Sequence, residues 1–317
     1  MIAFVALGGT PAYLKEALGQ TRQSNPDLPV VLLHDQRLSA WRSFASALGV
    51  QTYHVGVLDD DSRLRAFRSR PDARGAFWMR TSERFFVLRA FMEREDIARL
   101  THLENDVLLY APLTEIGRDA PFGSPRLAAV FESPERAIPG VVDVGSRAAL
   151  DAFTDLVLAE DPTAPQNDMV RFATFRRSFP DLVQDLPTLP PVVEEAEATV
   201  SLLCVTVPVA LPRGGWLFDG ARFGQYLGGI DPSHHRNVVL RWIRWRRGGM
   251  ARPNGFVNES CADDPSRYRY RVVRPRGLAV PAVVRGERAF PLATLHVHSK
   301  KLHRFRSDAL EALCPRR

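Results

Sequence analysis

The chain has 317 residues, 45% hydrophobic and 25% charged, enough apolar material for one large or two modest globular domains. It has no uninterrupted apolar run of the roughly 18 residues that a membrane-spanning helix needs. The formal charge is +6, and all but three of the 42 basic residues (Lys15, Lys300 and Lys301) are arginine, which suits phosphates, nucleotides, anionic glycans or membrane surfaces without choosing among them.

The N-terminal stretch IAFVALG reads as a first core strand ending at Gly8-Gly9, not as a secretion signal, because no basic segment precedes it. Pro11 suits the first turn of a helix through AYLKEALGQTRQS. VVLLHD is a second strand, SAWRSFASALG a helix closed by Gly49, and VQTYHV a third strand. A polar loop with DDDSRLRAFRSRPDARG leads to a helix through TSERFFVLRAFMERED, and RLTHLENDVLLY follows as a strand. RLAAVFES and GVVDVGS read as strands, and Ser146 caps a helix through RAALDAFTDLVLAE. DLPTLPPVVEEAEAT is a Pro-rich connection, and GGWLFDGARFGQYLGGIDP a structured loop with a short helix. NVVLRWIRWRRGG is a basic amphipathic helix, and LATLHVHSKKLHRF a late strand running into a basic loop. Cys204, Cys261 and Cys314 are scattered and odd in number, which points to a reducing, cytoplasmic location.

Alternating strands and helices with nearly all-apolar strands predict an α/β fold, with a mixed, mainly parallel sheet and helices on both faces. Without a clear linker or internal repeat, one compact domain over 1–317 is expected. Ligands of such sheets bind past the carboxyl ends of the strands. Gly8-Gly9, Asp35 and the triplet Glu104-Asn105-Asp106 fall at those ends.

The triplet carries the sharpest signal. On a strand, residues i and i+2 share a face, so Glu104 and Asp106 would project together. Two neighbouring carboxylates repel and are costly to bury unpaired. A divalent cation such as Mn²⁺ or Mg²⁺ removes both problems, whereas a strand end entering solvent is the plainer explanation of an isolated acid-x-acid. Near the far end, LHVHSKKLH places His296 and His298 on one strand face with Lys300 directly after. Imidazole is a metal ligand and ammonium a phosphate partner, while a histidine pair at a strand edge beside a solvated turn is the plainer reading.

The strand–helix opening, the helix TSERFFVLRAFM and the strand HLENDVLLY together resemble a nucleotide-sugar-dependent glycosyltransferase with the GT-A fold. In that family a DxD motif ends a strand and holds a divalent metal against the donor diphosphate; here the motif reads ExD. The resemblance implies residues 1–115 as the nucleotide-binding half and 116–317 as the half for donor sugar and acceptor. It implies Glu104, Asp106, His298 and His296 as metal ligands, in that half's C-terminal segment for the histidines, with Lys300 on the diphosphate. It also implies a nucleoside-diphosphate sugar donor, UDP by default, and a glycan or other hydroxyl acceptor.

Arg80, Thr81 and Arg84 read as the start of the helix before the acid strand, where a helix N-terminus favours anions. Gly8 and Asp35 are further nucleotide-contact candidates. Asp168 in QNDM and Asp219 in FDGARFGQYLGG are candidate general bases, or equally helix caps and turn residues. The glycines at 220, 224, 228 and 229 would let backbone approach a ligand closely. RWIRWRRGG, 241–249, suits single-stranded nucleic acid, an anionic membrane surface or a charged acceptor, or else an amphipathic helix packing Trp242 and Trp245 inward. The chain has no recognisable nucleic-acid-binding signature, so nucleic acid is not an expected partner. A non-catalytic nucleotide- or glycan-binding protein and a nucleotidyltransferase are the rival readings.

Overall fold

The computed structural model describes residues 1–36, 39–71, 76–116, 124–162, 166–188, 199–202, 205–208, 215–229, 265 and 268–313. The expected helix at 241–249 and all three cysteines lie outside them. The strands are β1 (Ile2–Ala6), β2 (Val30–His34), β3 (Val50–His54), β4 (Leu100–Leu103), β5 (Val107–Leu109), β6 (Leu127–Ser133), β7 (Arg136–Val144), β8 (Val183–Asp185), β9 (Thr199–Leu202), β10 (Val205–Pro208), β11 (Arg269–Val273), β12 (Val280–Arg285), β13 (Arg288–Pro291) and β14 (Thr294–His296). The α-helices are α1 (Leu14–Ser24), α2 (Ser39–Ala47), α3 (Ser62–Arg68), α4 (Ala76–Arg94), α5 (Leu113–Ile116), α6 (Arg147–Ala159), α7 (Asp168–Ser178), α8 (Arg222–Gly228) and α9 (Ser307–Leu313). No helix among the described residues is long and apolar enough to cross a membrane.

Two compact units result. The first comprises Met1–Leu14, Pro26–Asn105 and Ala120–Leu186, and the second Lys15–Asn25, Asp106–Asp119 and Pro187–Arg317.

The first unit is α/β. Its seven-stranded sheet has the order β3-β2-β1-β4-β7-β6-β8. Four of the six strand pairings are parallel; those of β7 with β4 and β6 are antiparallel. The mainly parallel sheet expected from the alternation is therefore present. Strands β1 and β2 are buried at every position, which is why they read as continuous apolar runs. Ala3, Val5, Val31, Leu33, Ala129 and Val142 alternate along their strands and pack with residues of α3, α4, α6 and α7. Helix α4 is apolar around most of its circumference, with Phe85 through Leu88 and Ala90 through Met92 all buried, as a core helix should be. Phe85 meets Phe153 and Phe172 at ring-centroid distances of 5.3 and 5.0 Å, and Phe153 and Phe172 stand 4.4 Å apart. Ser146 caps α6 as expected, its Oγ accepting from Ala149 N–H at 3.2 Å.

The second unit is built on antiparallel pairing. Strands β10-β9-β11-β12-β13 form a five-stranded antiparallel sheet, and β5 pairs antiparallel with β14. Helix α1 belongs here for all but its first residue. Buried Gln20 on α1 donates to Ser307 Oγ at 3.0 Å and accepts from Ser307 N–H at 2.8 Å, tying α1 to α9. At the other end of α1, Ser24 Oγ donates to Leu109 O at 2.7 Å, and Asn25 Nδ2 to Ala111 O at 3.1 Å.

Several expectations are corrected. The polar stretch after β3 holds a 3₁₀ turn at Val55–Leu58 and helix α3, capped by Asp61, whose side chain accepts from Leu64 N–H. Helix α4 begins at Ala76, so Arg80, Thr81 and Arg84 lie inside it and not at its N-terminus. Thr81 Oγ1 donates back to Trp78 O at 3.0 Å, satisfied within the helix instead of capping it. The single strand expected over 99–110 is two, with Glu104, Asn105 and Asp106 between them, so the alternation that would put both acids on one face does not apply there. The late strand is only Thr294–His296, and His298 lies in the turn after it. The antiparallel sheet of the second unit was not expected from the sequence.

Phe153→Ala removes an aromatic side chain that is 1% exposed, and should lower the stability of the first unit by about 3–5 kcal/mol in urea unfolding. The exposed Val57→Ala should stay within about 0.5 kcal/mol in the same measurement.

Candidate functional site

In the first unit, Gly8, Asp35 and Arg80 come together at the carboxyl ends of β1 and β2. Gly8 has φ +75°, a conformation glycine adopts without strain, and its N–H donates to Asp35 Oδ2 at 2.6 Å. A Cβ placed at Gly8 would lie 2.0 Å from Arg80 Nη1, so the guanidinium lies directly against the glycine.

A second cluster in the same unit forms around Arg84 of α4. Its buried guanidinium donates to Asp168 Oδ2 at 2.8 Å, to Pro139 O at 3.2 Å and to Glu104 Oε1. Asp168 opens α7 behind the cap Asn167, whose side chain accepts from Val170 N–H at 2.9 Å. Burial pushes the Asp168 carboxyl from 3.8 up to about 6; Glu104 adds to the rise, and Arg84 and the Met169 N–H oppose it. One arginine therefore serves two acids, and the more buried of them takes up a proton in mildly acidic solution. Beside them His102 is fully buried against Phe85, and burial and the charge of Arg84 push it down to about 3, so it is neutral.

In the second unit the centre is Asp106. Its side chain is 11% exposed; Oδ1 lies 3.2 Å from His296 Nε2, and Oδ2 accepts from Lys300 Nζ. Burial works to raise the Asp106 pKa, but His296 and Lys300 outweigh it and hold the carboxyl well below the usual carboxylate range. The backbone fixes this arrangement, because Val297 N–H donates to Asp106 O at 2.9 Å and extends the β5–β14 ladder.

Asp219 and Gly224 lock the strand that carries His296. Asp219 Oδ1 accepts from Phe223 N–H at 2.9 Å, and Oδ2 accepts from Gly224 N–H at 2.8 Å and His296 N–H at 2.9 Å. Burial raises the Asp219 pKa against these three donors. A Cβ at Gly224 would lie 1.9 Å from the His296 carbonyl oxygen, so the glycine lets α8 approach β14. The close approach expected of this glycine toward a ligand is thus made toward the protein's own backbone. His298 stacks edge-on to His296 at 4.3 Å, and its Nδ1 lies 3.1 Å from Gln225 Nε2.

Within the first unit the candidates Gly8, Asp35 and Arg80 make one set of contacts and Arg84, Glu104 and Asp168 another; within the second unit Asp106, His296, His298, Lys300 and Asp219 are brought together. Gln225 was missed, and only its spacing on α8, one residue after Gly224, hints at it.

No protein-family model matches the chain, and no curated protein matches it in sequence. Among solved structures, it is similar to mouse xyloside xylosyltransferase 1, with 14% identity over 59% of this chain and 84% of that one, at a TM-score of 0.41. It is also similar to the galactosyltransferase LgtC in complex with donor and acceptor sugar analogs, with 17% identity over 59% of this chain and 73% of that one, at a TM-score of 0.41. A cytidylyltransferase from Leptospira borgpetersenii shares 10% identity over 62% of this chain and 77% of its own, at a TM-score of 0.36.

The Asp168 carboxyl should titrate near pH 6 in carboxyl carbon NMR, and Glu104→Gln should bring that value down, because Glu104 raises it. Only the folded chain holds this proton between 3.8 and about 6. The contribution of Asp168 to stability is therefore full below pH 3.8 and is lost as pH rises through about 6, a slope that Asp168→Asn should flatten. Gly224→Ala should displace His296, costing at least about 2 kcal/mol in thermal unfolding through the backbone clash.

Proposed function

We propose that the chain is a metal-dependent glycosyltransferase. It would move a sugar from a nucleoside-diphosphate sugar to a hydroxyl of a glycan or other acceptor. The observation that carries this reading is the buried, ionised Asp106 presenting its carboxylate beside the His296 imidazole.

The donor set suits the cation. Neighbouring ligands of an octahedral ion with bonds of about 2.1 Å stand about 3 Å apart. The Asp106 oxygen and the His296 nitrogen are 3.2 Å apart. A carboxylate with an imidazole fits Mn²⁺ better than Mg²⁺, whose hard ion takes oxygen ligands, as a substrate-linked ion. Glu104, two residues before Asp106, is the proposed first acid of the motif, and Arg84 holds it in place. When bound, the cation would act as a Lewis acid on the leaving diphosphate.

The remaining roles follow from the residues themselves. Gly8, Asp35 and Arg80 are the proposed nucleotide contacts, with the Arg80 guanidinium supplying charge for phosphate. Lys300 neutralises the diphosphate as its charge grows. Asp168 is favoured over Asp219 as general base. Its carboxyl is ionised above about pH 6 and accepts one backbone N–H, from Met169, beside the Arg84 guanidinium, whereas Asp219 accepts three backbone N–H groups. Asp219 is then a positioning residue for His296. His298, held by Gln225, is the second histidine of the proposed metal and phosphate segment.

Calorimetric titration of UDP and then GDP, with and without Mn²⁺, tests the reading on wild type and Asp106→Ala. One nucleotide should bind only with the metal and lose about tenfold or more in affinity in the variant. Binding that ignores both metal and Asp106 would overturn the reading. In turnover, release of nucleoside diphosphate is expected; release of pyrophosphate would identify a nucleotidyltransferase instead.

A further inference from the structure

The oxygens of Asp106 that a cation needs are already engaged: Oδ1 faces His296, and Oδ2 accepts from the Lys300 ammonium. Lys300 reaches this position from a backbone of φ +62°, which costs a non-glycine residue about 1–2 kcal/mol. The turn is held by Lys300 N–H donating to Val297 O at 3.0 Å, directly after the bond from Val297 N–H to Asp106 O. A strained backbone is thus retained where it delivers the ammonium to the acid. The Lys300 side chain is 28% exposed, against 11% for Asp106, so the ammonium belongs to the less buried partner and rides on a flexible four-carbon stem.

We propose that Lys300 is the built-in counter-cation of Asp106, competing with the divalent metal for the carboxylate and leaving it for the diphosphate when metal and nucleotide arrive together. This inference rests on the donor-site reading above. An ammonium and a divalent cation on one carboxylate would be like charges in near contact, so the two occupy Asp106 in turn. The diphosphate offers the displaced ammonium a new anionic partner. Metal and nucleotide therefore help each other to bind, and that coupling is reciprocal by linkage.

The test is calorimetric: MnCl₂ alone, UDP alone, and UDP at saturating Mn²⁺, on wild type, Lys300→Met, Lys300→Gly and Asp106→Ala. Glycine accepts φ +62° without strain and so separates loss of charge from damage to the turn. Both Lys300 variants should bind Mn²⁺ alone about tenfold more tightly than wild type, and UDP with Mn²⁺ about tenfold more weakly. The two effects have opposite signs, so the factor by which metal strengthens UDP binding should shrink. Unchanged or weaker Mn²⁺ binding in both variants overturns the proposal. If UDP binding then still needs Mn²⁺ and Asp106, the donor-site reading stands. If Mn²⁺ binds none of the four proteins and UDP ignores it, that reading falls and this inference falls with it.

Discussion

The energetic constraint on this molecule is the desolvation of its acids. Removing a carboxylate from water costs several kcal/mol unless a cation and hydrogen bonds compensate. The structure meets this demand in two ways. Arg84 holds Glu104 and Asp168 with a guanidinium that cannot lose its charge at any ordinary pH. Asp106 is held by an imidazole fixed on its strand and by an ammonium on a flexible stem, and the ammonium can exchange. The first arrangement is suited to fixing geometry and the second to accepting a ligand.

Around the second arrangement the supports act on backbone atoms. Asp219 binds three N–H groups, and Gly224 brings α8 against the His296 carbonyl. His296 is thereby placed by a strand that cannot shift without breaking several hydrogen bonds. A ligand set with such support keeps its orientation when one of its charges is exchanged.

The legible parts of the sequence were those with one dominant periodicity. The buried parallel strands and the Gly49 and Ser146 helix boundaries follow from apolar runs and turn chemistry. What was not legible had competing signals. Helix α3 hid in an acidic and arginine-rich stretch because its buried face is only Leu64 and Phe67. The start of α4 was misplaced because Thr81 and Ser82 look like caps, but Thr81 bonds back within the helix and Ser82 accepts from the Arg171 guanidinium. RLTHLENDVLLY reads as one strand because the apolar pattern continues across the turn, although β4 and β5 join different sheets. His298, His296 and Lys300 are placed with Asp106 only through the family resemblance, since local sequence carries no record of contacts made 194 positions away.

That separation has a consequence for how the protein is made. A ribosome adding about 5–20 residues per second needs roughly 10–40 s to go from Asp106 to Lys300. Throughout that interval β5 lacks its partner β14, and the acid lacks the imidazole and the ammonium that hold it. All strands of the seven-stranded sheet are synthesised by Asp185, so the first unit has its full set of strands while the second still waits for its closing strand. Maturation is therefore vectorial: the α/β unit can settle early, and the Asp106 carboxylate reaches its native surroundings only once Lys300 has been made.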